Sequence, residues 1–124
     1  MNILESITID IPKSWLHGYP IEDYICCEYF GETAAGIVEG DKLLIRETLQ
    51  ADDNQTVAVM YRGCFMLGRV EFSDDDITFR PLNAEEEPLH ITGEAMNGFS
   101  VVGVPEMLIR HFKTKPTRTP FLSQ

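Results

Sequence analysis

The sequence predicts an all-β or mainly β fold, and three observations carry that expectation. Short runs rich in Val, Ile, Phe and Tyr recur along the chain, several alternating apolar and polar residues at the two-residue period of a half-buried strand. Turn residues separate the runs at short intervals, as at Glu39-Gly40-Asp41, Arg62-Gly63 and Ser73-Asp74-Asp75. No repeat, heptad or low-complexity segment competes with this pattern.

Taken in order, Ile3 to Ile11 sets Ile7, Ile9 and Ile11 on one face and Thr8 and Asp10 on the other, a strand that Pro12 ends because proline donates nothing to a ladder. Lys13 to Glu22 reads as a connection with one helical turn around Ser14-Trp15-Leu16, where Trp15 serves as a hydrophobic plug. Tyr24 to Phe30 is apolar on both faces except at Glu28, as in a buried strand. Glu32 to Ala35 is expected to make one helical turn, and Glu39-Gly40-Asp41 a tight turn, since glycine accepts positive φ. Leu43 to Glu47 is a short strand, and Gln50 to Gln55 a polar loop. Thr56 to Arg62 and Phe65 to Phe72 form a hairpin about Arg62-Gly63, with Val57, Val59 and Tyr61 on one face and Ala58 and Met60 on the other. Ile77 to Arg80, Leu89 to Ile91, Phe99 to Val104 and Met107 to Phe112 complete the strands, with an acidic loop at Pro81 to Pro88 and a loose tail from Thr114 to Gln124.

The 124 residues suffice for one domain, and 44% hydrophobic composition with 7 Phe, 4 Tyr and 1 Trp suffices for a core. Twenty acidic against 10 basic residues give a net charge of −10, which repels a phosphate backbone and argues against direct nucleic-acid binding. No apolar run approaches the roughly 20 residues of a membrane span, and residues 1–20 lack the basic start and apolar centre of a signal peptide. Three cysteines, two adjacent, make a poor disulfide framework and fit a cytoplasmic location.

Three blocks are more specific. They are Gly36-Ile37-Val38-Glu39-Gly40-Asp41, then Pro81-Leu82-Asn83 followed by Pro88-Leu89, then Phe99-Ser100-Val101-Val102-Gly103-Val104. In order and spacing they resemble the Gly-Ile-x-(Asp/Glu)-Gly-Asp turn, the Pro-x-Asn…Pro segment and the closing Val-x-Gly strand of the C-terminal domains of LexA, UmuD and lambdoid phage repressors, the Ser-Lys self-cleaving family. The resemblance covers roughly residues 23 to 112. It implies a LexA/signal-peptidase-like fold, compact and twisted, of several small sheets.

The resemblance also implies a serine nucleophile and a lysine base, the lysine kept neutral by burial. Counting back from Asp41, the serine position falls on Gly31; along the second hairpin arm, the lysine position falls on Gly68. Met66, Val70 and Phe72 share the face of Gly68, whereas Arg69 points the other way and stays charged. No serine occurs between Trp15 and Phe72 and no lysine between Leu43 and Phe112, so a register slip does not restore the dyad. No Ala-Gly or Cys-Gly pair precedes Tyr24 as a scissile bond, Ala35-Gly36 lies inside the turn, and no helix-turn-helix segment is expected.

Other chemistries read more weakly. Cys26, Cys27 and Cys64 sit at strand positions as apolar fillers, and Cys26 and Cys27 point to opposite faces, which prevents a joint metal grip. His17, His90 and His111 show no ligand spacing; Asp74-Asp75-Asp76 and Glu85-Glu86-Glu87 read as solvated surface without the glycine of a calcium loop; Gly98 and Gly103 suit close strand packing. No cofactor or metal is expected.

The expectation is a strand and connection over 1–22, a LexA-like domain over 23–112 and a tail over 113–124, acting as a catalytically inactive module through dimerisation or through pairing with a repressor of phage or mobile-element type. Alternatives are the effector domain of a longer repressor, or a hydrolase with Thr33 or Cys27 as displaced nucleophile. The closing segment carries the expected interface, Val102, Val104, Met107, Leu108, Ile109 and Phe112, because an apolar edge guarded only by Glu106 and Arg110 seeks a partner.

Overall fold

Among the described residues, eight strands form one curled antiparallel sheet, with the eighth strand of the chain inserted between the third and the fourth. They are β1 (Ile3–Ile7), β2 (Tyr24–Phe30), β3 (Lys42–Glu47), β4 (Thr56–Tyr61), β5 (Cys64–Phe72), β6 (Asp76–Pro81), β7 (Leu89–Thr92) and β8 (Phe99–Ile109). The computed structural model describes residues 3–16 and 18–110. The mainly β expectation holds, with the several small sheets joined into one. The curl brings β1 against β5, so the inner strands bury both faces. Val57, Val59, Met66, Val70 and Phe79 make one core; Cys27, Tyr29, Leu43, Ala58 and Leu67 make the other. This explains strands apolar on both faces, and it places Val57 and Val59 opposite Ala58 as the alternation predicts. Each fully buried large side chain stabilises by roughly 1.5–3 kcal/mol.

Several elements differ from expectation. The first strand stops at Ile7, leaving residues 8–12 outside the ladder. The helical turn near Trp15 is a 3-10 turn, Lys13–Trp15, but Trp15 is 37% exposed and Leu16, at 4%, is the plug. Glu32 to Ala35 is not helical. Ala35 and Gly36 have φ of 51° and 83°, and Ala34 and Ile37 exchange two backbone bonds (3.0 and 2.9 Å), a two-residue turn. The β4–β5 turn uses the same geometry, with φ of 51° at Arg62 and 77° at Gly63. A further 3-10 segment, Gly93–Gly98, leads into β8. There a Cβ on Gly98 would meet nothing within 4 Å, so Gly98 does not serve close strand packing. Gly103 does: a Cβ there would sit against Arg46 O and 2.8 Å from Ile45 Cγ2.

The two closing strands expected, Phe99 to Val104 and Met107 to Phe112, are joined through Pro105 into one strand, Phe99–Ile109, lying between β3 and β4. Leu44 pairs with Met107 and Ile45 with Pro105, so Glu106 is an extra residue opposite β3; Ala58 pairs with Gly103 and Val59 with Val101, so Val102 is extra opposite β4. These bulges carry the strand through its proline, since a bulge forgives a missing ladder N–H. The edge-strand reading is thereby corrected in part: β8 lies between two strands, each of which covers one half of it. Phe99–Gly103 pairs with β4 and Gly103–Ile109 with β3, and among the described residues no strand pairs with the other side of 104–109.

Candidate functional site

The turn after β2 is locked from inside. Asp41, 1% exposed, accepts a bond from Val38 N (2.9 Å) and a two-pronged contact from Arg110, Nε to Oδ1 and Nη2 to Oδ2, both 2.7 Å. Nη2 of Arg110 also reaches Gly36 O at 2.8 Å. The Arg110 guanidinium beside it, helped by the Val38 amide, holds the Asp41 carboxyl below its usual range against the opposing effect of burial. The Asp41 that ends the first sequence block is thus a buried anchor. Arg110, the residue that answers it, lies 69 positions away and left no local signal.

Gly31 and Gly68, the positions that the resemblance assigns to serine and lysine, flank one segment. Gly31 follows β2 directly, and its neighbour Glu32 accepts from Asn83 Nδ2 at 3.2 Å; Leu67, next to Gly68 on β5, accepts from Leu82 N at 3.3 Å. Residues 82–83 therefore tie together the neighbourhoods of Gly31 and Gly68, and this is what the Pro-x-Asn block does in the fold. Gly31 has φ of 130°, a conformation that favours glycine, and its amide donates to Glu39 Oε1 (3.2 Å). At Gly68 a Cβ would sit against Arg80 O and within 2.6 and 2.7 Å of the Phe79 ring. Gly68 lines a cleft of about 240 Å³ together with Ala35, Asn54, Thr56, Arg69 and Leu82.

A second polar cluster ties the 8–23 connection to the sheet. Glu106, set out by its bulge, meets Arg46 Nε through Oε2 at 2.6 Å. The Tyr24 hydroxyl lies 2.9 Å from both Leu16 O and Glu106 Oε1 and can donate to either. Burial and then the Glu106 carboxylate push the Tyr24 phenol up to about 12. The Arg46 guanidinium lies 4.6 Å from the Tyr19 ring centroid, a cation–π contact. Sequence reasoning took Glu106 as an edge guard; the only signal of its other role was a charge directly after a proline in an apolar run.

The remaining candidates separate. Cys26 and Cys27 are buried, and burial pushes the Cys27 thiol up to about 12, which disfavours the thiolate that a displaced nucleophile requires. Thr33 is exposed. His90 Nδ1 lies 3.4 Å from Thr78 Oγ1, while His17 and His111 fall outside the described residues. Ser73 closes the turn ahead of Asp76 through its backbone and hydroxyl. In the expected interface, Val102 packs against the Tyr29 core and Val104 against the Phe79 core, so both serve the interior at least in part. Leu108 is 39% exposed, Met107 and Ile109 are half-buried, and Phe112 lies outside the described residues. No helix among the described residues is long and apolar enough to cross a membrane.

The peptidase S24-like family model matches residues 2–104. LexA repressors are also similar to this chain. That of Syntrophobacter fumaroxidans is 29% identical over 80 residues, 64% of this chain and 37% of the relative. That of Syntrophotalea carbinolica is 28% identical over 79 residues, 64% of this chain and 38% of the relative. That of Anaeromyxobacter dehalogenans is 29% identical over 69 residues, 56% and 30%. The chain thus spans well under half the length of these relatives.

Proposed function

Because the chain belongs to the peptidase S24-like family, we propose that it is a LexA-like domain which does not cleave itself and which acts through protein contacts in a repressor-related circuit, of phage or mobile-element type, in the cytoplasm. The observation that carries this reading is Gly68. The position that the resemblance assigns to the lysine base holds glycine, and the Arg80 carbonyl and Phe79 ring fill the space where any side chain would begin. Gly31, in a backbone conformation that suits glycine, supports it at the serine position. A Ser-Lys mechanism requires a hydroxyl and a neutral amine in hydrogen-bond contact, and neither residue type is present at these two places.

Self-cleavage of the Ser-Lys kind depends on lysine deprotonation, so alkaline incubation is the test. The raised phenol of Tyr24 contributes stability that is present below its unfolded value and is lost only as pH rises through about 12. At pH near 10 that contact is therefore still in place, and the experiment reads chemistry rather than loss of this clasp. The expected result is one intact mass; a clean cut within residues 1–23 would overturn the reading.

For the contact itself, we infer a homodimer through the distal half of β8. Its outer side lacks a strand among the described residues, and it presents the exposed Leu108. A second reading rests on the relatives' greater length: the chain corresponds to the effector part of a longer helix-turn-helix repressor. The reading frame flanking the gene distinguishes the two.

A further inference from the structure

The cleft beside Gly68 is lined by Arg69, an exposed cation without a protein partner among the described residues. Arg69 stands directly opposite Arg80 on β6 and opposite Thr56 on β4. Like charges in directly opposed cross-strand positions repel. Arg80 relieves its share through Glu71, Nε to Oε1 at 3.0 Å. Of the other described arginines, Arg46 pairs with Glu106, Arg110 with Asp41, and Arg62 stacks on Tyr61. Arg69 alone has no ion pair, hydrogen bond or ring contact among the described residues, and it is the one arginine that lines this cleft. Asn54 and Thr56 line it too, and neither side chain has a partner among the described residues.

We propose that this cleft binds one carboxylate, carried on an acidic side chain of a protein partner, with Arg69 as the anion-binding residue and Thr56 and Asn54 as orienting donors. A planar guanidinium matches a carboxylate in two-pronged fashion, and a hydroxyl and an amide beside it fix the orientation. The choice of a single charge follows from the surroundings. Asp52 and Asp53 precede Asn54 in the same loop, and the whole chain is at net −10, so a polyanion meets repulsion that one carboxylate largely escapes. The proposal deepens the protein-contact reading and rests on it for the nature of the partner.

The test is a titration of the ¹⁵N-labelled full chain, at matched ionic strength, with N-acetylglutamate α-amide as the side-chain carboxylate, N-acetylglycine as a chain-end carboxylate, inorganic phosphate, and sodium chloride. Expected are saturable shifts of the Arg69 Nε–H and of the Thr56 and Gly68 amides with the glutamate probe. Binding should weaken about tenfold in Arg69→Gln, as loss of a charge-assisted pair implies, and by less in Thr56→Val. Should Arg69→Gln fail to fold, Arg69→Lys keeps the charge and removes the fork, and weaker binding by that folded variant supports the same assignment. Absence of saturation, shifts unaltered by the Arg69 variants, or preference for the chain-end carboxylate or for phosphate would each overturn the proposal. Mass and oligomeric state read on the same sample keep the readings apart. An intact dimer without a carboxylate site overturns this inference alone, and alkaline cleavage overturns the protein-contact reading alone.

Discussion

At Gly68 one hydrogen atom decides what the site can hold. Gly68→Ala adds a methyl against the Arg80 carbonyl and the Phe79 ring, and should destabilise the fold by roughly 1–3 kcal/mol, the usual cost of overpacking. Gly98→Ala is the internal control: the space there is open and φ is not positive, so it should be neutral or stabilise by up to about 1 kcal/mol. Urea midpoints of the two variants against the parent check both. Gly68→Lys should be worse than Gly68→Ala, first from the steric clash and then from an unpaired ammonium near an apolar ring. Asp41 sets a second residue-scale expectation. Its folded pKa is depressed, so its contribution is present above the unfolded value and is lost as pH falls through the folded one. Arg110→Gln removes the main cause, so the stability gap between parent and variant should be widest at neutral pH and close progressively on the acid side. A gap that stays constant into strong acid would mean that Arg110 acts without Asp41. The resemblance singles out Gly31 and Gly68 in the sequence; the Asp41–Arg110 clamp was not legible there, because nothing local distinguishes an arginine that will find a carboxylate 69 residues earlier.

Local chemistry predicts elements well where the chain itself closes the structure. Arg62-Gly63 was readable as a hairpin turn because two adjacent left-handed residues suffice to make one. The same geometry at Ala35-Gly36 was missed because alanine with φ of 51° is an uncommon choice, and Glu32 to Ala35 has helix-favouring composition. Pro105 misled for a different reason. A bulge is a property of two strands, and the partner at Leu44-Ile45 lies some 60 residues away. Trp15 was taken as the plug by size alone, whereas the 3-10 turn aims Leu16 inward. For β8 these distinctions become an experiment. Leu108→Asp should give a folded monomer, because Leu108 is exposed and the outer side of its strand is unpaired. Val101→Asp should unfold the chain, because Val101 lies in the core with Phe79. Light scattering at micromolar concentration should report about twice 14.1 kDa for the parent and the monomer mass for Leu108→Asp. A parent that stays monomeric at hundreds of micromolar would favour pairing with a different, repressor-type chain.

Over the whole molecule, charge separates this domain from a nucleic-acid reader. The net charge of −10 understates the point, because several of the cations are already engaged. Arg46, Arg80 and Arg110 are each neutralised by a carboxylate of the same fold. Binding to duplex DNA draws its affinity from counterions released as lysines and arginines neutralise phosphates. An arginine that must first break an internal ion pair contributes little to that release, and each unpaired acidic side chain on the approaching face works against it. Arg69 is open to an anion, but one guanidinium in a cleft whose Asn54 follows Asp52 and Asp53 in the chain does not make a phosphate track. The chain alone should therefore leave duplex DNA unshifted in a gel at physiological salt and micromolar protein. The Arg69→Gln variant should behave identically, since the site it removes is one for a single carboxylate. Micromolar binding by the parent, falling with salt at a slope that Arg69→Gln lowers by about one, would place a phosphate where the carboxylate is proposed to sit.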